Sequence, residues 1–491
     1  MERLSLASLP GLPRRLRPRV DPAGLRVGIV HLGIGAFHRA HQAVYTDDAL
    51  AASPGDWGIC GVTERSAAVV RQLRPQDGLY TVLERGEHGV GLRTIGAVRD
   101  VLFAGESPRE LRNLLADPAV RIVTITVTEK GYHHDPASGR LRIDDPTVGA
   151  DLGGGEPRTV VGQLVRGLEA RRTAEAGPLT VVSCDNLPGN GRLLRGLVEQ
   201  FCLRLPPGEG DRILGWMADH VTFPNTVVDR IVPATTSDDL AAARERLGVA
   251  DEGVVVAEPF SQWVIEDRFV TDRPRWEAGG AVLTDDPGPY EDAKLRLLNG
   301  SHSALAYLGA LGGFTHIADA VREPLLAEVV DRLMRDDVVP TLREPPGVDL
   351  GEYCHTLLTR FANPALRHRT TQVAMDGSQK LPQRLLGTAR DRLAAGAEPR
   401  YVTLAVAAWM RYVSAAESDD GAPLPVDDPL ADRLRVADPR DPHAVAAGLF
   451  GLTEAFGEGL PASPVFRDLV TGWLERLTAK GVLATVRDAL R

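Results

Sequence analysis

The chain has 491 residues, of which 43% are hydrophobic and 25% charged, a composition that excludes an intrinsically disordered protein and predicts two or three domains with sizeable cores. Its formal net charge of -10 excludes nucleic acid or an anionic membrane surface as the main partner, because proteins that neutralise phosphates carry a surplus of lysine and arginine. A small molecule is therefore the expected partner.

The cysteines and the hydropathy pattern indicate where the protein works. The four cysteines are scattered without a CxxC pair, so we interpret them as reduced core thiols: Cys60, Cys184, Cys202 and Cys354. No apolar run reaches the length of about 18 residues that a membrane span needs. We therefore expect a cytoplasmic protein without a membrane partner. Residues 1–25 lack the apolar centre of a secretory signal and are interpreted as an N-terminal arm.

The first organised segment is a predicted strand followed by a glycine-rich turn and a helix. Residues 26–32 form a short apolar run typical of a buried parallel strand, and a helix is predicted over 36–49. Gly33 and Gly35 lie in the turn, where the backbone can approach a pyrophosphate and the helix N-terminus supplies amide donors. His38 stands where the usual GxGxxG motif has its third glycine, so this turn by itself is not specific for a dinucleotide.

The second predicted strand strengthens the dinucleotide interpretation. Residues 57–62 are apolar, and Glu64 follows them at the place where an acid holds the adenosine ribose hydroxyls. The alternative is a solvated glutamate in a turn. We predict NAD as the cofactor, but NADP is not excluded, because Arg65 could pair with a 2'-phosphate.

Two further buried strands are predicted in VRIVTITVTEKGY and PLTVVSCDNLPGNG, and from about residue 286 the apolar pattern becomes helical. Because ligands of parallel sheets bind at the carboxyl ends of strands, the polar residues after these two strands are candidate site residues: Thr128, Glu129, Lys130, Asp185, Asn186 and Asn190. The predicted fold class is α/β, with a Rossmann-type dinucleotide-binding domain over 26–285 followed by a mostly α-helical substrate domain over 286–491.

The segment KLRLLNGSHSAL, residues 294–305, places a lysine, an asparagine and a histidine in an otherwise apolar helix. At about 100° per residue from Lys294, Glu291 falls near 60°, His302 near 80° and Asn299 near 140°, so one helical face can carry all four. The alternative is structural, with a lysine that reaches water, an asparagine that caps a helix break and a hydrogen-bonded core histidine. The functional interpretation is favoured because the helix opens the second domain, where a cleft is expected.

Hydride transfer between a nicotinamide and a secondary alcohol suits such a face. The reaction needs a base for the hydroxyl proton and donors to the oxygen that gains negative charge. A lysine acts as this base when desolvation lowers its pKa, and amide side chains act as uncharged donors. We predict Lys294 as the general acid/base, with Asn299 and Asn190 as the donors.

Six segments in this order resemble the mannitol 2-dehydrogenase and fructuronate reductase family of long-chain polyol dehydrogenases: GIGAFHRAHQAVYTD, TVTEKGY, SCDNLPGNG, FPNTVVDRIVP, KLRLLNGSHSALAYLG and AMDGSQKLPQR. The resemblance extends from about residue 26 to about residue 480. It implies a Rossmann-type domain, a mostly helical domain, an active site between them and no metal.

The resemblance also implies roles for single residues. Lys294 matches the catalytic lysine of the family, and His302 matches the histidine that holds the substrate. Asn190 and Asn299 match its oxyanion-binding asparagines. Glu291 matches a glutamate that gates proton escape from the lysine.

Three more positions bear on the substrate. Asp229 matches an aspartate near the substrate hydroxyls, although it could instead pair with Arg230. Lys380 matches a lysine at the substrate end of the site, although a surface lysine is the simpler interpretation. Gln372 stands where some polyol-oxidising members have arginine, and a glutamine there resembles bacterial members that act on hexuronates.

We predict an NAD-dependent oxidoreductase that acts at C2 of an open-chain sugar alcohol, such as D-mannitol, which it converts to D-fructose. One alternative is a fructuronate reductase, which interconverts D-mannonate and D-fructuronate; the extra carboxylate then needs a cation such as Lys380, Arg369 or Arg384. A non-catalytic dinucleotide sensor is a second alternative, which the presence of the lysine and both asparagines disfavours.

No metal is predicted. His38 and His41 are spaced like ligands on one helix, but no third ligand accompanies them in the sequence. The sequence leaves the oligomeric state, the substrate stereoisomer and the physiological direction open.

Overall fold

A computed structural model describes residues 2–86, 89–135, 138–364 and 368–491, and six of its strands form one parallel sheet. In chain order these strands are β1 Val27–Leu32, β2 Gly58–Thr63, β3 Val98–Phe103, β4 Ile122–Ile125, β5 Leu179–Ser183 and β6 Val221–Thr222. They pair in the order β6-β5-β4-β1-β2-β3, and every pairing is parallel. This is the Rossmann strand order, with the reversal between β1 and β4. The predicted Rossmann-type fold is confirmed.

The strands of this sheet are mostly apolar, as in parallel sheets with both faces covered. The chain divides into two compact units, Met1–Pro287 and Gly288–Arg491. Helices of the first unit are Ala36–Ala40, Gln42–Ala52, Ala68–Leu73, Pro108–Leu115, Thr128–Gly131, Pro146–Leu152, Val160–Thr173, Asn190–Cys202, Glu209–His220 and Ser237–Leu247.

The helix predicted over 36–49 is two helices in the structure, Ala36–Ala40 and Gln42–Ala52. The backbone of His41 leaves the helical region between them, with φ -127° and ψ -91°. Its Nε2 donates a hydrogen bond to the carbonyl of Gln262 over 2.8 Å, so the imidazole ties this break to a neighbouring strand.

Smaller sheets complete the first unit. In one, Gln262–Glu266 lies between Thr226–Asp229 and Val282–Thr284; in the second, Tyr80–Gly86 lies between Val255–Ala257 and Gly89–Ile95; the third pairs His134–Asp135 with Arg140–Leu141. The N-terminal residues pack on this unit through a small apolar cluster, which consists of Leu4, Leu12, Leu16, Leu79, Leu247 and Val249.

The second unit is helical, and its core forms around Gly300–Leu311, Arg400–Ser414 and Pro464–Lys480. The other helices are Gly288–Ala293, Ile317–Arg322, Pro324–Arg332, Leu350–Phe361, Thr370–Ala374, Gly377–Leu381, Gly387–Ala394, Pro442–Phe450, Thr453–Phe456, Gly459–Ala462 and Val482–Ala489, with π-helical segments Lys294–Asn299, Leu333–Val338 and Pro382–Leu386. The predicted mostly helical second domain is confirmed. Among the described residues, the search for a helix with the length and apolar character of a membrane span finds none.

Candidate active site

The glycine turn follows β1 at the carboxyl edge of the sheet. Gly33 has φ +95°, and a Cβ there would lie 2.0 Å from the carbonyl oxygen of Thr126, so only glycine fits. The amides of Gly33 and Ile34 both donate to the carbonyl of Val62, over 2.8 and 2.9 Å, which fixes the turn against β2. A Cβ on Gly35 would meet only the Gly33 carbonyl, at 3.8 Å, so this face of the turn has room for close approach by a ligand.

An imidazole pair takes the place of the third glycine of the motif. In Rossmann folds that glycine permits close packing of helix on strand. Here His38 stacks on His31 of β1 with ring centroids 3.3 Å apart. Burial lowers the pKa of His31 to about 3 and that of His38 well below its ordinary range, so both rings are neutral at neutral pH. Two uncharged flat rings therefore provide the close contact.

Glu64 directly follows β2, as the sequence predicted. Its Oε2 accepts a hydrogen bond of 2.8 Å from Nε2 of Gln163, while its Oε1 is buried and accepts none within the described part of the chain. Burial raises the pKa of this carboxyl to about 7. Sequence reasoning missed Gln163, which lies on another helix 99 positions further along the chain.

The loops after β4 and β5 are tied together by Asp185. Its carboxylate accepts hydrogen bonds from the amides of Val127 and Thr128, both 2.9 Å, and from the hydroxyl of Tyr132 at 2.8 Å. Thr128 has a left-handed backbone with φ +67°, so the aspartate braces a strained turn. Of the candidate residues in these loops, Asp185 thus has a structural task.

Asn190 begins the helix Asn190–Cys202 and is buried. Its Nδ2 donates to the carbonyls of Asp185 and Thr226, both 3.0 Å, and its Oδ1 accepts from the amide of Thr226 at 2.9 Å. The first turn of the helix is capped by Asn225, whose Oδ1 accepts from two of its amides over 3.1 Å. The predicted oxyanion donor is thus held by backbone groups of its own unit.

Asp229 is buried at the end of a strand, and Arg230 follows it. Arg230 donates to the carboxylate of Glu84 and to the carbonyls of Ala40 and Glu258, at distances from 2.5 to 3.0 Å. Arg230 thus has Glu84 and two carbonyls as hydrogen-bond partners, while the role of Asp229 stays a prediction.

The predicted catalytic segment of the second unit is a π turn, Lys294–Asn299, between the α-helices Gly288–Ala293 and Gly300–Leu311. The amide of Gly300 donates to the carbonyl five residues earlier. The expected angles of 100° per residue are therefore wrong across this segment, because a π turn holds more residues than an α turn. Such turns occur frequently at functional sites.

Lys294 and Asn299 stand at the two ends of this turn and are each 7% exposed. The Nδ2 of Asn299 makes no hydrogen bond among the described residues, so this amide group is a buried, unsatisfied donor. Glu291, three positions before the lysine, is partly buried. The three polar residues therefore lie largely away from solvent, while their roles in catalysis stay predictions.

His302 follows on the next helix and packs between two rings. It stacks on Phe361 with centroids 5.2 Å apart and on His368 with centroids 5.8 Å apart. Burial, and after it the charges of His368, Arg384, Arg360 and Lys380, hold the pKa of His302 well below its usual range. The imidazole is thus neutral and lies in cationic surroundings.

The cations that influence His302 come from two helical runs, Arg360 from Leu350–Phe361, and Lys380 and Arg384 from consecutive segments after Gly377. Lys380, on Gly377–Leu381, donates to the carbonyl of Met375 over 2.5 Å, and Arg384 donates to Oγ of Ser303 over 3.0 Å. Arg360 is a buried residue that sequence reasoning missed, since it lies outside the recognised motifs. In the part of the chain that the structure describes, no group of three or more His, Cys, Asp or Glu side chains could hold a metal ion.

Comparison with known proteins bears on both units. Residues 27–278 match the family described as the mannitol dehydrogenase Rossmann domain, and residues 286–478 match the mannitol dehydrogenase C-terminal domain. The uncharacterized oxidoreductase YeiQ of Escherichia coli (strain K12) is 45% identical over 479 residues, 96% of this chain and 97% of that protein. The D-mannonate oxidoreductase of the same organism is 42% identical over 470 residues, 95% of this chain and 96% of that protein.

A solved structure is similar to this chain over almost its whole length. The ternary complex of Pseudomonas fluorescens mannitol 2-dehydrogenase with NAD and D-mannitol has a TM-score of 0.86 and 37% identity, with 99% of both chains covered. The resemblance inferred from the six sequence motifs is confirmed. This chain belongs to the mannitol dehydrogenase family of oxidoreductases.

Proposed function

We propose that this protein is an NAD-dependent oxidoreductase that transfers a hydride at the secondary alcohol next to the terminal CH2OH of an open-chain sugar acid or sugar alcohol, the carbon that becomes C2 of the ketose or ketouronate, with Lys294 as general acid/base. The observation that carries this proposal is the π turn with a buried lysine at one end and a buried, unsatisfied asparagine amide at the other. Residues 26–285 are proposed as the dinucleotide-binding domain and 286–491 as the substrate domain, with 1–25 as an N-terminal arm.

The residues after β1 and β2 suit NAD. Gly33 and Gly35 allow a pyrophosphate to approach the backbone, and the unsatisfied Oε1 of Glu64 is an acceptor for a ribose hydroxyl. When bound, NAD supplies the hydride acceptor. The P. fluorescens relative carries NAD in its ternary complex, which supports this choice over NADP.

The proton is proposed to move through Lys294, and Asn299 is the favoured donor to the substrate oxygen. A neutral lysine accepts the hydroxyl proton during oxidation, and an ammonium returns it during reduction. Nδ2 of Asn299 needs an acceptor, and a developing alkoxide is a strong one. Asn190 stays a predicted second donor, which must exchange a carbonyl partner for the substrate oxygen. Glu291 stays the predicted proton gate.

The surroundings of His302 favour a substrate with a carboxylate. Three cations, Arg384, Arg360 and Lys380, follow burial and the neighbouring His368 among the influences that lower the pKa of this imidazole. A carboxylate gains charge-assisted hydrogen bonds from such groups, whereas a polyol gains only neutral ones. The relative named D-mannonate oxidoreductase supports an aldonate such as D-mannonate as the first candidate. D-Mannitol is the second candidate, supported by the P. fluorescens complex, and Asp229 stays the predicted residue near its hydroxyls.

A substrate panel tests this proposal. D-Mannonate, D-altronate, D-mannitol, D-arabinitol and D-sorbitol, each with NAD and NADP, are followed at the nicotinamide absorbance. We expect kcat/KM for D-mannonate to exceed that for D-mannitol by about tenfold or more, the equivalent of one charge-assisted hydrogen bond. Lys380→Met should reduce kcat/KM for D-mannonate more than for any polyol. A faster reaction with D-mannitol, unaffected by this variant, would favour the second candidate.

A further inference from the structure

The contact between Glu64 and Gln163 joins two elements of the first unit that are far apart in the chain. Gln163 lies in the first turn of Val160–Thr173 and is 5% exposed. Thr159 caps this helix, and Asp151 accepts hydrogen bonds from the amide and the hydroxyl of Thr159 over 2.9 and 2.6 Å. The start of the helix, and with it the position of Gln163, is therefore held firmly.

Within this pair, one carboxylate oxygen of Glu64 accepts a hydrogen bond and the other accepts none among the described residues. Nε2 of Gln163 donates to Oε2 of Glu64 over 2.8 Å. Oε1 of Glu64 and Oε1 of Gln163 are both buried and make no hydrogen bond among the described residues. A glutamate held through one oxygen keeps its other oxygen in a constant direction, which is what recognition of a ribose hydroxyl requires.

We infer that Gln163 is a positioning residue that holds Glu64 for the adenosine ribose and thereby sets the preference for NAD over NADP. The inference rests on the proposed function, since it assumes that a nicotinamide dinucleotide binds after β1 and β2. It assigns a task to a residue outside all the motifs that carry the family resemblance.

Arg112, Glu156 and Arg166 line a small cavity together with Gln163, and Arg65 follows Glu64 in the chain. Arg112 and Glu156 lie 3.8 Å apart, and Arg166 pairs with two glutamates. Arg65 is exposed to solvent, which screens its charge. Burial and the hydrogen bond from Gln163 are thus the two influences that govern the ionisation of Glu64.

The ionisation of Glu64 makes the preference depend on pH. Burial raises the pKa of Glu64 to about 7, and the hydrogen bond from Gln163 lowers it. The ionised fraction of Glu64 therefore grows as the pH rises through 7, and only the ionised form repels the 2'-phosphate of NADP. Removal of the Gln163 amide should shift this transition to higher pH.

The test measures the Kd of NADH and of NADPH by nicotinamide fluorescence on the full chain between pH 5.5 and 9. In the wild type we expect the ratio of Kd for NADPH to Kd for NADH to rise about tenfold through pH 7, which corresponds to a bound 2'-phosphate that raises the pKa of Glu64 by about one unit. In Glu64→Gln this ratio should change with pH only through ionisation of the 2'-phosphate of NADPH, whose second pKa is near 6. In Gln163→Met the rise should move to higher pH by about one unit, as loss of a charged hydrogen bond implies.

The matched control is Gln72→Met, a partly buried glutamine elsewhere in the first unit, which should leave the ratio unchanged at every pH. The inference is overturned if the wild type and Glu64→Gln give the same pH dependence, or if Gln163→Met weakens both coenzymes equally without moving the transition. Should Gln163→Met not fold, Gln163→Asn, which keeps the amide but shortens its reach, gives the same test of the shift to higher pH. Binding of neither coenzyme would overturn the NAD proposal itself, a different result from binding without pH-dependent discrimination.

Discussion

Lys294 and Asn299 stand at opposite ends of one π turn, and their burial gives each side chain a restricted chemical role. Lys294 is only 7% exposed, and the Asn299 amide, which has no acceptor among the described residues, is costly to bury. Proteins retain a buried amide of this kind where a ligand satisfies it. At the scale of the residue, this makes the pair the centre of the proposed chemistry.

Replacement of Lys294 with Ala should lower kcat by a factor of about a hundred to ten thousand and leave NADH binding nearly intact, because general acid/base groups contribute on this order. In the wild type, alcohol oxidation should rise with pH and ketone reduction should fall, since the lysine must be neutral to accept a proton. Steady-state rates and NADH fluorescence measure both effects. Lys480→Ala, at an exposed ion pair with Asp488, is the control and should retain full activity. Near-normal turnover of Lys294→Ala would remove the lysine from the mechanism.

Helix packing on β1 depends on the stacked pair His31 and His38, which replaces the close approach that a third glycine would allow. Neither ring nitrogen of His38 makes a hydrogen bond among the described residues. The stack therefore requires both rings to be uncharged. The packing of the helix after the glycine turn on β1 should for this reason depend on pH.

Acid should weaken this contact. The unfolded chain protonates His38 below its ordinary pKa of about 6.5, whereas burial keeps the folded pKa well below that value. The folded state thus loses stability as the pH falls below 6.5, by up to about 1.4 kcal/mol per pH unit. His38→Phe keeps a flat ring without a proton site, so urea unfolding from pH 7.5 to 4.5 should show a smaller acid loss. His443→Phe, at an exposed histidine, should keep the wild-type slope.

The helix after the π turn packs closely on a second helical segment. A Cβ on Gly300 would lie 2.7 Å from the backbone oxygen of Arg384, in the segment Pro382–Leu386. Because Gly300 has no side chain, the helix that carries His302 can lie close to the segment that carries Arg384. A single methyl group at position 300 would push the two backbones apart.

The change Gly300→Ala should destabilise the protein by about 1–3 kcal/mol, because backbone must move to admit the methyl group. It should also raise KM for the substrate, since the displaced segment carries Arg384. Gly472→Ala is the matched control: a helical glycine whose Cβ would meet nothing within 4 Å, which should gain about 0.5–1 kcal/mol from helix propensity. Urea unfolding and steady-state kinetics measure the pair. Equal stability of both variants would contradict the close packing.

For the whole molecule, the described hydrophobic cores divide between the units. The cores around the parallel sheet contain residues of Met1–Pro287, and the core around Arg400–Ser414 contains residues of Gly288–Arg491. A unit with its own core can fold independently. The dinucleotide turn and Glu64 belong to the first unit, whereas Lys294 and Asn299 belong to the second.

Residues 1–287 expressed as a separate protein should therefore unfold cooperatively in urea and bind NADH with a Kd within about tenfold of the full chain. It should have no dehydrogenase activity, because the proposed acid/base is in the other unit. Circular dichroism and nicotinamide fluorescence check both expectations. A fragment that is unfolded, or that folds without binding NADH, would show that the coenzyme site needs residues beyond 287.

The sequence by itself determined the fold class, the glycine turn, the acid after β2 and the family, because these depend on residues close together in the chain and on recurring motifs. Only the tertiary structure identified Gln163 as the partner of Glu64, Arg360 as a neighbour of His302, and the carbonyl partners of Asn190. It also replaced the regular helical face around Lys294 with a π turn. The side-chain contacts join segments that are distant in the chain, and such contacts leave no periodicity in the sequence. The π turn arises because backbone hydrogen bonds join residues five positions apart instead of four, which composition does not specify.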